Sequence, residues 1–121
     1  MVEGYEQLQV WERSHALALQ VYKLTRNFPK SELYGLTAQL RRAVTAIPTN
    51  IAEGSARASR REYLQFCYIA RGSLAEARYL LRLAHDLDYL STSDFESTLE
   101  ACDNIVRMLN GLMRFLGKAR R

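Results

Sequence analysis

Proline is nearly missing from this chain, with two in 121 residues, and glycine is sparse at six. Both scarcities weigh against short strands joined by tight turns and favour long helices. No apolar run approaches the ~20 residues needed to cross a bilayer, so a membrane span is not expected. The first six residues, Met1-Val2-Glu3-Gly4-Tyr5-Glu6, hold no basic stretch followed by an apolar one, and export by the usual signal is not expected either. Cysteine is limited to Cys67 and Cys102, both inside predicted helices, which argues against a disulfide framework and for a reduced, cytoplasmic protein. Lysine is confined to Lys23, Lys30 and Lys118, so arginine carries most of the positive charge.

What is present is ordinary globular material: 48% hydrophobic and 25% charged residues, enough for one core in a single domain spanning residues 1–121. Apolar residues recur at helical spacing in four stretches, which predicts helices over about 8–27, 32–54, 60–87 and 94–117. The first buries Val10, Leu17, Val21, Leu24 and Phe28, and ends before Pro29 because the residue preceding a proline is pushed out of the helical region. Ser31 is the expected cap of the second, whose stripe is Leu33, Leu36, Leu40, Val44, Ile47 and Ile51. Pro48 lies inside that stripe and predicts a kink in one helix rather than two helices. Ser59 with Glu62 forms a capping box for the third helix, and Ser93 with Glu96 repeats it for the fourth. The third presents Phe66, Ile69, Ala70, Leu74, Ala77, Leu80, Leu81 and Ala84. The fourth carries a seam of Phe95, Leu99, Cys102, Val106, Leu109, Met113 and Leu116. Short connections then imply an all-α, antiparallel up-down-up-down four-helix bundle.

The formal net charge is +4 and the basic residues cluster between Arg26 and Arg82. Arginine's planar fork suits phosphate and carboxylate pairing. At about 100° per residue, Arg60, Arg71, Arg78 and Arg82 fall within roughly 40° of one another, with Arg61, Tyr68 and Tyr79 on the adjoining flank. A basic stripe beside aromatics is the pattern expected where a phosphate backbone is tracked. The competing reading is a solvated face, or one salt-bridged to a neighbouring subunit. Arg57, Arg60 and Arg61 also surround the start of the third helix, where free backbone donors favour an anion.

A second constellation is Arg41, Arg42, Asn50, Glu53, Ser73 and Glu76. Glu76 and Ser73 border an apolar face where a free carboxylate is costly, so Glu53 and Glu76 are expected to pair with arginines inside the bundle or across a subunit boundary. Gly72 costs ~1 kcal/mol against alanine within a helix, which suggests a close helix approach there.

Catalytic patterns are incomplete. Glu12-Arg13-Ser14-His15 is one Glu-x-x-His step, but a di-iron bundle needs two, and His85 has Arg82 three residues before it. An Arg-x-x-x-x-His nuclease motif is lacking, because Leu80 precedes His85 by five and Val10 precedes His15 by five. No phosphate-loop glycine pattern occurs, and Cys67 and Cys102 read as core fillers. No enzyme activity, metal or cofactor is expected.

Several segments carry a family resemblance: Leu8-Gln9-Val10-Trp11, Val21-Tyr22-Lys23-Leu24-Thr25 with Phe28-Pro29, the run from Tyr34 to Ala43, Ile47-Pro48-Thr49-Asn50-Ile51-Ala52-Glu53-Gly54, and the run from Ala70 to Glu76. In this order, over roughly residues 8 to 115, the chain resembles the four-helix bundle family named for proteins encoded in intervening sequences of bacterial 23S ribosomal RNA genes. That family is similar in fold to the accessory protein of diversity-generating retroelements, a pentameric barrel that binds nucleic acid and contacts a reverse transcriptase. The resemblance implies a homo-oligomer, with a pentamer as the assembly to test. The combined expectation is a homo-oligomeric scaffold that binds RNA or DNA through Arg57, Arg60, Arg61, Arg71, Arg78 and Arg82. The alternative is a protein–protein adaptor that binds no nucleic acid.

Overall fold

The computed structural model describes Tyr5 and residues 8–118. Four helices account for most of them: α1 (Gln9–Thr25), α2 (Leu36–Ser55), α3 (Arg60–Asp86) and α4 (Thr92–Lys118). A single 3-10 turn, Lys30–Glu32, lies between α1 and α2. Each helix touches its two neighbours around a closed ring, α1 to α2, α2 to α3, α3 to α4 and α4 back to α1. Cross-helix pairs run in opposite senses between α3 and α4. Arg71 meets Asn110 while Arg78 meets Asp103, and Gln20 of α1 reaches Ser97 near the start of α4. The fold is a four-helix bundle with antiparallel neighbours.

The core forms where the apolar stripes converge. Leu17, Val21, Leu40, Val44, Ile47, Ile51, Leu74, Leu81, Ile105 and Leu109 are almost wholly withdrawn from solvent. Burial of each such side chain contributes about 1.5–3 kcal/mol relative to exposure. Three buried hydroxyls need no distant partner, because Ser14, Thr25 and Thr98 each donate back to a carbonyl four residues earlier, at 2.7, 2.8 and 3.0 Å. Among the described residues no buried side-chain polar atom is left unpaired.

Pro48 sits inside α2 without dividing it, as expected. The start of α2 differs from expectation. Ser31 does not cap it; the Glu32 carboxylate instead accepts from the Leu36 backbone N–H at 3.0 Å, and the helix begins there. Leu33 consequently falls outside the stripe and is exposed. Glu32 also accepts from the Tyr89 hydroxyl at 3.1 Å, joining the α1–α2 and α3–α4 connections. That hydrogen bond, followed by desolvation, raises the Tyr89 phenol above its usual pKa.

Ser59 caps α3 by accepting from Glu62 N–H at 3.1 Å, as the sequence indicates. For α4 the cap is Ser91, two residues earlier than expected, accepting from Asp94 N–H at 3.1 Å. The α4 seam also turns slightly: Thr98 and Ile105 are buried where Leu99 and Val106 were expected, and those two lie half-buried beside it. On α3, Cys67 is buried while Ile69 points outward.

The glycines reverse the sequence reading. A Cβ on Gly72 would meet nothing within 4 Å, so no helix approaches it in this chain. Gly54 is the tight position. A Cβ there would lie 2.8 Å from Tyr63 Cδ1, 2.9 Å from Phe66 Cβ and 3.2 Å from the Tyr63 carbonyl oxygen. Gly54 therefore lets the end of α2 rest on the first turns of α3.

Cys67 and Cys102 are free, fully buried thiols, and burial pushes each up to about 11 from a usual value of 9. The unfolded chain ionises first, so stability present below pH 9 should fall as pH rises from about 9 through about 11. An aromatic disulfide reagent at pH 8 should label neither thiol until denaturant opens the core, and both thereafter. Rapid labelling of the folded chain would contradict their burial.

Candidate functional site

The arginine stripe of α3 is real as a face, but the structure divides it. Its C-terminal half is neutralised. Arg78 forms an ion pair with Asp103 of α4, and Arg82 Nε lies 3.1 Å from Asp86 Oδ2 one turn on. These two are therefore the weakest candidates for a phosphate. The N-terminal half is different. Arg71 donates to Asn110 Oδ1 at 2.9 Å and lies over the Tyr68 ring at 5.1 Å. Arg60 lies over the Phe115 ring at 4.8 Å, and Arg57 over the Phe66 ring at 4.7 Å. Arg61 is exposed. Among the described residues, none of these four arginines is ion-paired.

Because α3 and α4 are antiparallel, the start of α3 lies beside the end of α4. This brings in basic residues that phase analysis of α3 alone misses. Arg114 lines the same cleft as Leu64, Tyr68, Arg71 and Asn110, about 320 Å³ in volume, and Lys118 closes α4 at that end. Glu62, in the first turn of α3, sits on the opposite side of the helix from Arg60 and Arg71. Guanidinium groups held on aromatic faces are pre-ordered, with their donor edges still free for a phosphate. The signal that could have found Arg114 is its position in the i, i+4, i+3, i+4 row Asp103, Arg107, Asn110 and Arg114 on α4.

The second constellation is not a network within this chain. Arg41 is engaged elsewhere, donating from Nε to Thr25 Oγ1 at 2.9 Å and stacking on Tyr22 at 4.6 Å. Asn50 donates to its own helix at Ala46 O, 2.8 Å away. Arg42, Glu53 and Glu76 are exposed and Ser73 is half-buried, with no ion pair among them. The reason is phase: α2 and α3 share the largest interface through buried small residues such as Ala43, Gly54, Ala70 and Ala77, and the polar side chains fan outward to solvent. Among the described residues no carboxylate is buried, so none requires an internal partner.

A larger cavity, about 580 Å³ and mainly apolar, opens between α1 and α2 and is lined by Trp11, His15, Leu19, Tyr22, Pro48 and Ala52 among others. Tyr34, 92% exposed, extends the same face through a second cleft that includes Tyr22, Arg41 and Arg42. His15 stacks on Trp11 and His85 on Phe95, at 5.1 and 4.5 Å. His85 Nε2 also lies 3.2 Å from the Thr92 hydroxyl and its Nδ1 3.4 Å from Asp86 Oδ1, at the exposed α3–α4 connection, while both thiols are in the core.

No curated protein matches the sequence. A crystal structure of a protein of unknown function from the S23 ribosomal protein family of Bacteroides thetaiotaomicron is similar in fold, with a TM-score of 0.80 and 23% identity over 87% of this chain and 95% of that one. The family model described as 23S rRNA-intervening sequence protein matches residues 6–111, from just before α1 to well into α4. With the match running through all four helices, the chain belongs to the 23S rRNA-intervening sequence protein family.

Proposed function

We propose that this protein is a non-enzymatic helical scaffold that associates with copies of itself and binds the backbone of RNA or DNA. The observation that carries this reading is the α3/α4 cleft, lined by Arg71 and Arg114, with Arg60 at the start of α3 and Lys118 at the end of α4 beyond it and no carboxylate paired to these arginines among the described residues. Association of several chains multiplies a net charge of +4 and sets such clefts in an array. The burial of both thiols takes them out of reach of a substrate and supports a binding role.

A protein–protein adaptor is the second reading, favoured by the open α1–α2 groove with Leu19 60% exposed at its edge. A salt titration with a mixed pool of RNA and DNA oligonucleotides separates the two. Three phosphate contacts on a single strand give a slope of about −2 in log affinity against log salt, so affinity should fall roughly 20-fold between ~50 and ~200 mM salt. No binding at ~50 mM salt would remove the nucleic-acid reading and leave the adaptor. Light scattering at micromolar concentration should show an oligomer, and a stable monomer would remove the assembly part.

A further inference from the structure

The α3/α4 cleft carries more than charge. Tyr68 lines it and is 53% exposed, and Phe115, next to the cleft residue Arg114 on α4, is 59% exposed, although each ring already lies against a guanidinium. Two large rings left open to water beside three arginines are unlike a surface built only for solubility. Resting on the reading of a nucleic-acid scaffold, we propose that this cleft and the Arg60–Phe115 pair beside it accept a single-stranded segment, with unpaired bases stacked against Tyr68 and Phe115 and phosphates held by Arg60, Arg71 and Arg114.

The geometry distinguishes a single strand from a duplex. In a duplex the base faces are hidden in the stack, and an exposed ring finds nothing to cover it. An unpaired base offers a π-face to either ring or to the flat of a stacked guanidinium, without regard to base identity. Arg60 and Arg71 are eleven residues apart on α3, which at 1.5 Å per residue separates their origins by about 16 Å. Tyr68 falls between them along α3, and Phe115 reaches across from α4 to Arg60. Tyr68, Arg71 and Arg114 thus line the cleft, and the Arg60–Phe115 pair adds a second ring and guanidinium toward the start of α3. The two ion pairs Arg78–Asp103 and Arg82–Asp86 mark where the unpaired arginines of α3 stop.

The test is fluorescence anisotropy at ~50 mM salt with four labelled 12-mers of matched length: oligo-dT, oligo-U, an abasic deoxyribose-phosphate chain, and a blunt duplex. Oligo-dT or oligo-U should bind roughly tenfold or more tightly than the abasic chain and the duplex. The variants Tyr68→Leu and Phe115→Leu, with helicity checked by circular dichroism, should each lose roughly tenfold on the single strands and little on the abasic chain. The dT and U arms separate DNA from RNA, since only the latter brings a 2′-hydroxyl. Equal affinity for all four probes overturns the proposal while leaving backbone binding intact. Absence of binding to any probe instead overturns the scaffold reading on which it rests. A change in oligomer mass on Tyr68→Leu or Phe115→Leu would place the rings between copies of the chain and likewise overturn it.

Discussion

Gly54→Val should lower the thermal midpoint by roughly 10 °C, and Gly72→Ala should raise it by a few degrees. At Gly54 a Cβ collides with Tyr63 Cδ1 at 2.8 Å and Phe66 Cβ at 2.9 Å, and it presses the Tyr63 carbonyl oxygen at 3.2 Å. A ring can tilt, but the backbone oxygen cannot move without unseating the start of α3. Overpacking of this kind costs about 1–3 kcal/mol. For Gly54→Ala the gain in helix propensity, about 1 kcal/mol, offsets part of it. Valine adds two further methyl groups and gains less propensity, so its cost stands near the upper end. A loss of about 3 kcal/mol corresponds to roughly 10 °C for a chain of this size. Gly72 has nothing within 4 Å, so alanine there supplies the propensity gain of about 1 kcal/mol alone. Thermal unfolding followed by circular dichroism checks both. A Gly54→Val chain as stable as the parent would mean that the α2–α3 corner is looser than these contacts describe.

Replacing Arg71 and Arg114 together by alanine should weaken single-strand binding by roughly tenfold or more at ~50 mM salt and flatten the salt slope by about 1.4, at about 0.7 per lost phosphate contact. Arg82→Ala should leave both within about twofold, because its guanidinium is already held by Asp86. Charge is the same lost quantity at each position, so nonspecific electrostatic attraction predicts similar effects per residue. Only a located cleft predicts the split. Equal losses from Arg71 and Arg82 would point back to an undifferentiated basic face. Because both positions are on the surface, measurement of the thermal midpoint alongside keeps a folding defect from being read as a binding one.

Much of the fold was legible because helical periodicity is a local signal: Val10, Leu17 and Val21, or Leu74, Leu81 and Ala84, recur on one face and end up in the core. The boundaries were less so. Ser31 and Ser93 each have the chemistry of a cap, yet Glu32 and Ser91 take those roles, and overlapping candidates within three residues leave a linear sequence no means of choosing. Thr98 was passed over on α4 because a hydroxyl looks polar, although it satisfies itself against Asp94 O and Phe95 O and packs as a small apolar residue. The candidate site was half-readable. The shared phase of Arg60, Arg71, Arg78 and Arg82 follows from α3 alone, but which of them stays unneutralised depends on the register between α3 and α4. Asp103 faces Arg78 while Asn110 faces Arg71, and that one difference between a carboxylate and an amide separates the two halves of the stripe. Gly72 and Gly54 make the same point for packing, since both break helix propensity and only a neighbouring helix shows which is obligatory.

The Glu32–Tyr89 hydrogen bond has a consequence for the order of folding events. Its partners are 57 residues apart, whereas α2 and α3 meet across a four-residue turn at Gly54. The short loop closes at little entropic cost, and the long one waits until both helical pairs exist. Contacts made after the rate-limiting step act on unfolding alone. The Glu32 carboxylate, with Tyr89 tilted against Phe28 at 5.6 Å, is therefore expected to act as a latch. It is expected to set how long a finished bundle stays closed rather than how quickly one forms.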